Sequence, residues 1–211
     1  MGLREEKKQA SRTAIADAAL RLFLTRGFDR VTVAEVAAEA HVSVNTVFNY
    51  FPTKEDLFFD RQTEIVRRLA DIVERREPGE PAVTAVRRAF LTRLHENDPT
   101  LGLHEGMVHF WRTAEASPAL QARLRLINEQ TEAALAESLS RASKAPPGDA
   151  FVLAATAAIA GIDRALHTEI RRRLLSGESP AEIRAALTEL AAQAFDTAAA
   201  GIAGYPQPTP P

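Results

Sequence analysis

The chain has 211 residues and a formal net charge of −2, from 26 Lys and Arg residues against 28 Asp and Glu residues. A hydrophobic fraction of 45% and a charged fraction of 26% are typical of a globular protein and exclude an intrinsically disordered chain. There is no cysteine, which excludes disulfides and thiolate metal sites. No apolar run approaches the roughly 20 residues that span a bilayer. We therefore expect a cytoplasmic protein with no membrane partner.

The periodicity of apolar residues predicts an all-α protein of about nine helices and no convincing strand. The first helix spans about 5–26, with Gly27 as its C-terminal stop. Thr32 and Glu35 form a capping box that starts the second helix at Val33. Ser43 is a suitable cap for a third helix of about eight residues.

Proline and capping residues divide the rest of the chain into helices. Pro52 ends the third helix, and Thr53 with Asp56 caps a fourth. The pattern continues this fourth helix to about residue 76, with inward side chains at Leu57, Phe58, Ile65, Leu69 and Ile72. The fifth helix is predicted over about 81–97. The sixth begins at Asp98-Pro99 and the seventh at Ser117-Pro118. After a loop at 144–149 an eighth helix extends to about Leu175, and the ninth begins at Ser179-Pro180. The tail over 205–211 is predicted to be extended and disordered.

Residues 32–51 indicate a partner, because they combine two short helices with a tight turn. On the third helix, Val47 and Phe51 lie one turn apart and point inward. At about 100° per residue, Asn45 and Asn49 then point outward. This arrangement is typical of a helix-turn-helix that reads DNA.

Residues of about 10–58 resemble the DNA-binding domain of the TetR family of bacterial transcriptional regulators. The resemblance rests on many positions in register, namely Gly27-Phe28, Thr32, Ala37, Val42-Ser43, Thr46, Tyr50-Phe51 and Lys54-Glu55. Two residues depart from the pattern. His41 stands where the family usually has a glycine with positive φ, which histidine tolerates better than most residues. Phe48 stands where a tyrosine is common, so one hydroxyl contact to phosphate is absent.

The contacts to DNA are divided between bases and phosphates. We expect Asn45, Asn49 and Val44 to read base edges, because asparagine can bond adenine bidentately and valine can touch a thymine methyl. We expect the phosphates to be held by Thr32, Ser43, Thr46, Tyr50 and Lys54. The first 60 residues are not basic overall, so a dimer should be needed for useful affinity.

Alanine-rich segments in the last two long helices predict a dimer interface, because small side chains let helices approach closely. The expected interface residues are Ala158, Ile162, Leu187, Leu190 and Ala194. The high helix propensity of alanine explains the same composition without a dimer. The resemblance implies that this helix pair meets its copy in a four-helix bundle, which would present two reader helices to half-sites roughly 34 Å or a multiple apart.

The resemblance also implies a small-molecule effector in the C-terminal half. Its pocket is expected among apolar side chains with a few polar ones, as is usual for such sites. The candidates are Phe90, Leu94, Met107, Phe110, Trp111, Leu124, Ile127, Phe151 and Ile159, with Asn128, Thr156, His109 and Asp163 as polar contacts. An aromatic and methionine stripe at helical spacing is more often solid core.

No enzyme, cofactor or metal site is expected. His104 and His109 are five residues apart, one more than in the zinc protease pattern, so they diverge around a helix. The predicted function is a ligand-released repressor with a DNA-binding domain over 1–53, a ligand-binding and dimerisation domain over 54–204, and a tail over 205–211. The alternative is a helical small-molecule-binding or protein-interaction module without DNA affinity.

Overall fold

The computed structural model describes residues 3–146 and 148–202, and the regular structure of these residues is entirely helical. The helices are α1 (Leu3–Arg26), α2 (Val33–Glu39), α3 (Val44–Tyr50), α4 (Lys54–Phe58), α5 (Gln62–Glu74), α6 (Ala82–His95), α7 (Gly106–Ala116), α8 (Pro118–Ser143), α9 (Ala150–Leu175) and α10 (Pro180–Ile202). The predicted all-α fold is therefore confirmed. The tail predicted over 205–211 lies outside the described residues.

The chain divides into two compact units, of which the first comprises residues 1–63 and 109–125. Its core is aromatic, because Phe23 and Phe28 have ring centroids 4.9 Å apart and Phe58 stacks on Phe110 at 4.3 Å. Such ring pairs stabilise a core beyond the area that they bury. The end of α7 and the start of α8 thus pack with the N-terminal helices, which their place in the sequence does not reveal.

The second unit comprises residues 64–108 and 126–211. Its core is aliphatic with two phenylalanines, and α6, α9 and α10 contribute most of it. The buried members include Leu69, Val86, Phe90, Leu94, Leu135, Ile159, Leu166, Ile183, Leu187 and Phe195. The units are defined by packing alone, so the predicted functional boundary after residue 53 stays a prediction.

The predicted continuous helix over about 54–76 is wrong, because α4 and α5 are separate helices. The carbonyl of Asp60 accepts a hydrogen bond from Arg12 Nη2 at 2.6 Å. Phe59, at the end of α4, has a non-helical backbone with φ −102° and ψ 54°. Within α5, Ile65, predicted to be inward, is 42% exposed, whereas Leu69 is buried as predicted.

The helix predicted from Asp98-Pro99 is also interrupted. A 3-10 turn at Pro99–Leu101 ends at Gly102, whose φ of 68° lies in the left-handed region that favours glycine. The helix that carries Met107 begins only at Gly106. The break between α4 and α5 raises the number of α-helices in the described residues from the predicted nine to ten, and the break at Gly102 adds a 3-10 turn.

Candidate DNA-binding site

The start of α2 is fixed by the predicted capping box. The Glu35 amide donates to Thr32 Oγ1 at 3.2 Å, and the Thr32 amide donates to Glu35 Oε2 at 2.8 Å. The hydrogen bond from the Thr32 amide, followed by those from Arg26 and the Thr32 hydroxyl, lowers the pKa of Glu35 to about 2. Glu35 is therefore ionised at neutral pH, and its charge stabilises the N-terminal end of α2.

The turn between α2 and α3 confirms the expectation for His41, which has a φ of 54°. The His41 amide donates to the Ala38 carbonyl at 3.1 Å, and the Val42 amide donates to the Ala37 carbonyl at 2.9 Å. These bonds satisfy carbonyls that the end of α2 leaves open. A non-glycine residue in this conformation costs free energy, which the two hydrogen bonds of the turn offset.

Helix α3 is only seven residues long, so neighbouring groups must hold it in place. Ser43 caps it, because its Oγ accepts the Thr46 amide at 3.0 Å. Val47 and Phe51 are buried with exposures of 0% and 1%, as the sequence predicted. Arg12 of α1 lies over the Phe51 ring, 4.7 Å from its centroid, and thus packs against the end of this helix.

The solvent side of α3 consists of three pairs of side chains, each pair four residues apart. Asn45 and Asn49 are exposed and lie opposite the buried Val47, as predicted. Val44 and Phe48 are exposed on one flank. On the other flank, two half-buried residues carry hydroxyl groups, namely Thr46 and Tyr50. The helix therefore presents an amide strip between an apolar flank and a hydroxyl flank.

Several candidate phosphate ligands already take part in capping. Thr32 Oγ1 donates to Glu35 Oε2 at 2.8 Å. Ser43 Oγ and Thr46 Oγ1 are hydrogen-bonded to each other at 2.8 Å. A hydroxyl oxygen has one donor and two acceptor positions, so a cap does not exclude a phosphate contact, but a hydroxyl whose proton is engaged must first release it.

Lys54 lies at the first position of α4, where its ammonium is placed over aromatic rings. The distance from Nζ to the ring centroid is 4.3 Å for Phe28 and 5.8 Å for Phe23. Burial lowers the pKa of Lys54, and the nearby carboxylates of Asp29 and Glu55 partly oppose this effect. The rings hold the ammonium in one place, which suits a group that is expected to meet a phosphate.

The candidate effector residues occupy different environments. Phe90 and Leu94 are buried in the core of the second unit, and Met107 packs against it. Thr156 is buried, and its hydroxyl donates to the Val152 carbonyl at 2.7 Å, so its proton is already used. Phe151 is 45% exposed and therefore does not line an enclosed cavity in this conformation. Ile127 and Ile159 are buried, whereas Asn128 and Leu124 are half-buried.

Four members of this set belong to the first unit, namely His109, Phe110, Trp111 and Leu124. Phe110 packs there against Phe58, Phe59 and Trp111. The effector pocket stays a prediction. A cleft in the second unit is lined by the α8–α9 connection, including Ser140, Arg141, Lys144, Asp149, Val152 and Leu153.

The second unit contains a buried charged cluster that the sequence predicts only in part. Arg68 donates to both carboxylate oxygens of Asp163, at 3.1 and 2.6 Å. His167 Nδ1 lies 2.8 Å from the Asp163 carbonyl. The sequence predicts a polar contact at Asp163 but none at Arg68 or Arg93, because helical periodicity assigns long basic residues to the surface by default. Within the described residues, no group of three His, Cys, Asp or Glu side chains is arranged to hold a metal ion.

The predicted dimer residues differ in their accessibility. Leu190 is 41% exposed, and three others, namely Ala158, Ile162 and Ala194, are half-buried. Leu187 is 0% exposed because it lies in the core of its own chain. In this conformation Leu187 therefore offers no surface to a second copy, and the dimer interface stays a prediction.

Helix α9 is long and apolar enough to cross a membrane by length and composition, contrary to the sequence expectation. It is the one such helix among the described residues. The core helix of a globular unit meets the same criteria, and the buried side chains of α9 include Val152, Ile159, Leu166 and Ile170.

Two short capped helices behind a long first helix define a helix-turn-helix protein. Residues 15–60 match the family described as bacterial regulatory proteins, tetR family. The chain is 30% identical over 142 residues to the HTH-type transcriptional regulator TcmR of Streptomyces glaucescens, a match that covers 66% of this chain and 63% of TcmR. Over residues 15–60 the chain is therefore similar to the TetR family of bacterial transcriptional regulators.

The match spans less than two thirds of the length of TcmR. Two solved structures share the fold. NalD, the secondary repressor of the MexAB-OprM multidrug efflux pump in Pseudomonas aeruginosa, has a TM-score of 0.56 at 19% identity, covering 88% of this chain and 97% of NalD. SmeT in complex with triclosan has a TM-score of 0.54 at 18% identity, covering 96% of this chain and all (100%) of SmeT.

Proposed function

We propose that the protein is a sequence-specific DNA-binding transcriptional regulator, and that it represses transcription until a small molecule releases it from its operator. The observation that carries the proposal is the exposed amide strip of α3, formed by Asn45 and Asn49. Both amides project from a helix that is too short to stand alone and is capped and clamped by its own domain. Amides in this position can bond adenine bidentately in the major groove.

The phosphate contacts proposed for the hydroxyl flank and for Lys54 set the position of this helix on the duplex. Tyr50 and Thr46 lie on one side of the amide strip, and Lys54 follows at the start of α4. Contacts to phosphate fix register without reading sequence, so these residues contribute affinity to any DNA. Val44 joins the asparagines as a reader of base edges.

A homodimer completes the proposal, because one helix of seven residues offers few contacts. A twofold axis would place two copies of α3 on half-sites roughly 34 Å or a multiple apart. Leu190 of α10 and Leu153 of α9 are exposed apolar side chains on the proposed dimer helices. A protein with this function acts in the cytoplasm.

The effector is proposed to bind in the second unit, with Phe90, Leu94 and Met107 as apolar contacts and Asn128 as a polar one. The fold shared with SmeT, which binds triclosan, supports a small-molecule site in such a helical unit. A ligand releases DNA only if it binds one arrangement of the reader helices better than the other.

Binding of purified protein to DNA from upstream of its own gene, measured by gel shift with random DNA as competitor, tests the proposal. Asn45→Ala should weaken binding to the cognate fragment about 10-fold or more and leave binding to random DNA nearly unchanged. Gln130→Ala, which removes an exposed amide from α8, is the matched control and should change neither.

Equal loss on cognate and random DNA would remove the base-reading role of Asn45. Failure to bind any fragment at low salt would favour the alternative, a helical module that binds small molecules or proteins without affinity for DNA.

A further inference from the structure

Phe48 and Val44 form an exposed apolar pair on α3 that the capping and clamping of this helix do not use. Phe48 is 46% exposed and Val44 is 40% exposed. They are four residues apart, so their side chains are neighbours on one flank. The aromatic cluster of the first unit lies around Phe23, Phe28 and Phe58 and does not include Phe48.

The pair borders the amide strip. At about 100° per residue, Val44 and Phe48 lie about 100° around the helix from Asn45 and Asn49, respectively. When the asparagines contact the edges of bases, Val44 and Phe48 therefore reach the same base pair or its neighbour. The pair is continuous with the proposed DNA interface, which identifies DNA as what covers it.

The major groove offers one apolar group to such a pair. Among the four bases only thymine carries a methyl group, at C5, and this methyl projects into the major groove. Adenine, which asparagine recognises, is always paired with thymine, so a single A·T pair presents an amide partner and a methyl group together. Phe48 also lacks the hydroxyl that would direct its ring towards a phosphate.

We propose that Phe48, supported by Val44, is a specificity-determining residue that packs against the methyl group of a thymine in each operator half-site. The proposal rests on the proposed DNA binding and adds the base that Phe48 distinguishes, which is thymine. Phe48 and the thymine methyl exclude water from each other, and burial of one methyl group is worth about fourfold in affinity.

Removal of one methyl group from the DNA tests the thymine contact directly. The bound sequence is first selected from a random pool, and each thymine is then replaced in turn by deoxyuridine, which lacks only the C5 methyl. At one or more thymines in each half-site, deoxyuridine should weaken binding about fourfold. With Phe48→Ala, affinity for thymine DNA should fall, and the same replacement should have no further effect.

Two variants and a control separate the contact from a general loss of fold. Phe48→Leu retains an apolar side chain and should retain sensitivity to deoxyuridine, whereas Val44→Ala should reduce it. Ile65→Ala removes an exposed apolar side chain away from α3 and should leave the sensitivity unchanged. Because Phe48 is exposed, the thermal midpoint of Phe48→Ala should stay close to that of the parent protein.

The proposal is overturned if deoxyuridine is tolerated at every thymine, if the selected half-sites contain no thymine, or if Phe48→Ala keeps full sensitivity. In each of these outcomes specific DNA binding stands. A selection that enriches no sequence overturns the proposed function itself, and the thymine contact with it.

Discussion

Arg68 of α5 and Asp163 of α9 are joined by two parallel hydrogen bonds of 3.1 and 2.6 Å, in a second unit whose core is mostly apolar. The Asp163 side chain is 8% exposed and the Arg68 side chain is 21% exposed. Burial raises the pKa of Asp163, but the charges of Arg68 and His167 outweigh this effect, and the pKa lies below its usual value. The carboxylate is thus ionised throughout the neutral range.

Loss of the Asp163 charge should destabilise the second unit strongly. Asp163→Asn keeps the shape of the side chain but leaves Arg68 without an anion and close to a second buried cation, Arg93. The expected loss is about 3 kcal/mol in the free energy of unfolding, measured by urea denaturation. Glu137→Gln, which breaks the exposed pair with Arg141, should change stability by about 0.5 kcal/mol or less. Similar losses for both variants would show that the buried pair contributes no more to stability than the exposed pair.

The removal of Arg93 should have the opposite effect. Its Nε and Nη2 atoms are buried, and neither has a hydrogen-bond partner in the described part of the chain. Burial and the like charge of Arg68 lower its pKa to about 10. Arg93→Met removes two buried guanidinium nitrogens without hydrogen bonds and retains the apolar stem, so the protein without ligand should gain about 1–2 kcal/mol in urea unfolding.

Arg88→Met is the matched control for this gain. Arg88 lies on the same helix but is exposed, and it makes two hydrogen bonds of 2.9 Å to the carboxylate of Glu80. Its replacement should not raise the unfolding midpoint. A lower midpoint for Arg93→Met would mean that the guanidinium contributes stability through its packing over Phe90, whose ring centroid is 5.8 Å away.

The helix-turn-helix formed by α2 and α3 could be predicted closely from the sequence because local interactions define it. The capping boxes, the turn at His41 and the inward pair Val47 and Phe51 all involve residues within about one helical turn of each other. The break after α4 could not be predicted, since the contacts made there include one from Arg12, a residue 48 positions away that donates to the Asp60 carbonyl. Periodicity contains no information on such a contact.

The positions of the candidate effector residues in the fold could not be predicted from periodicity either. Phe110 has the spacing of a core residue, but spacing does not say which core, and only the fold places it against Phe58. Leu187 likewise has the apolar character of an interface residue and is buried within its own chain. Surface and core helix faces are distinguished by tertiary packing, which a single sequence does not give.

Lys54 should contribute to DNA affinity through one phosphate per subunit. Lys54→Gln is expected to weaken binding to cognate and random DNA alike, and to reduce the slope of log affinity against log salt by about 1 per subunit. Lys54→Arg retains the charge and should retain the slope. An unchanged slope for Lys54→Gln, with a lower thermal midpoint, would assign the ammonium to the Phe28 ring alone.

Asp56 should be the most sensitive carboxylate of the first unit. It is 6% exposed, accepts the Thr53 amide at 2.9 Å and the Gln62 side-chain amide at 2.7 Å, and forms an ion pair with Arg123. It therefore ties the N-terminal end of α4 to α5 and to α8 within one unit. Asp56→Asn removes the charge and leaves Arg123 without its anion, so thermal or urea unfolding should show a loss of about 3 kcal/mol.

Glu35→Gln tests whether this loss comes from the buried charge or from the capping box. Glu35 belongs to the corresponding box of α2 and pairs with Arg26 at 2.6 Å, but this pair is exposed. Its replacement should lower the stability of the same unit much less than Asp56→Asn does, because exposed pairs are screened by water. Equal losses would assign the effect to capping, and the ion pair with Arg123 would then contribute little.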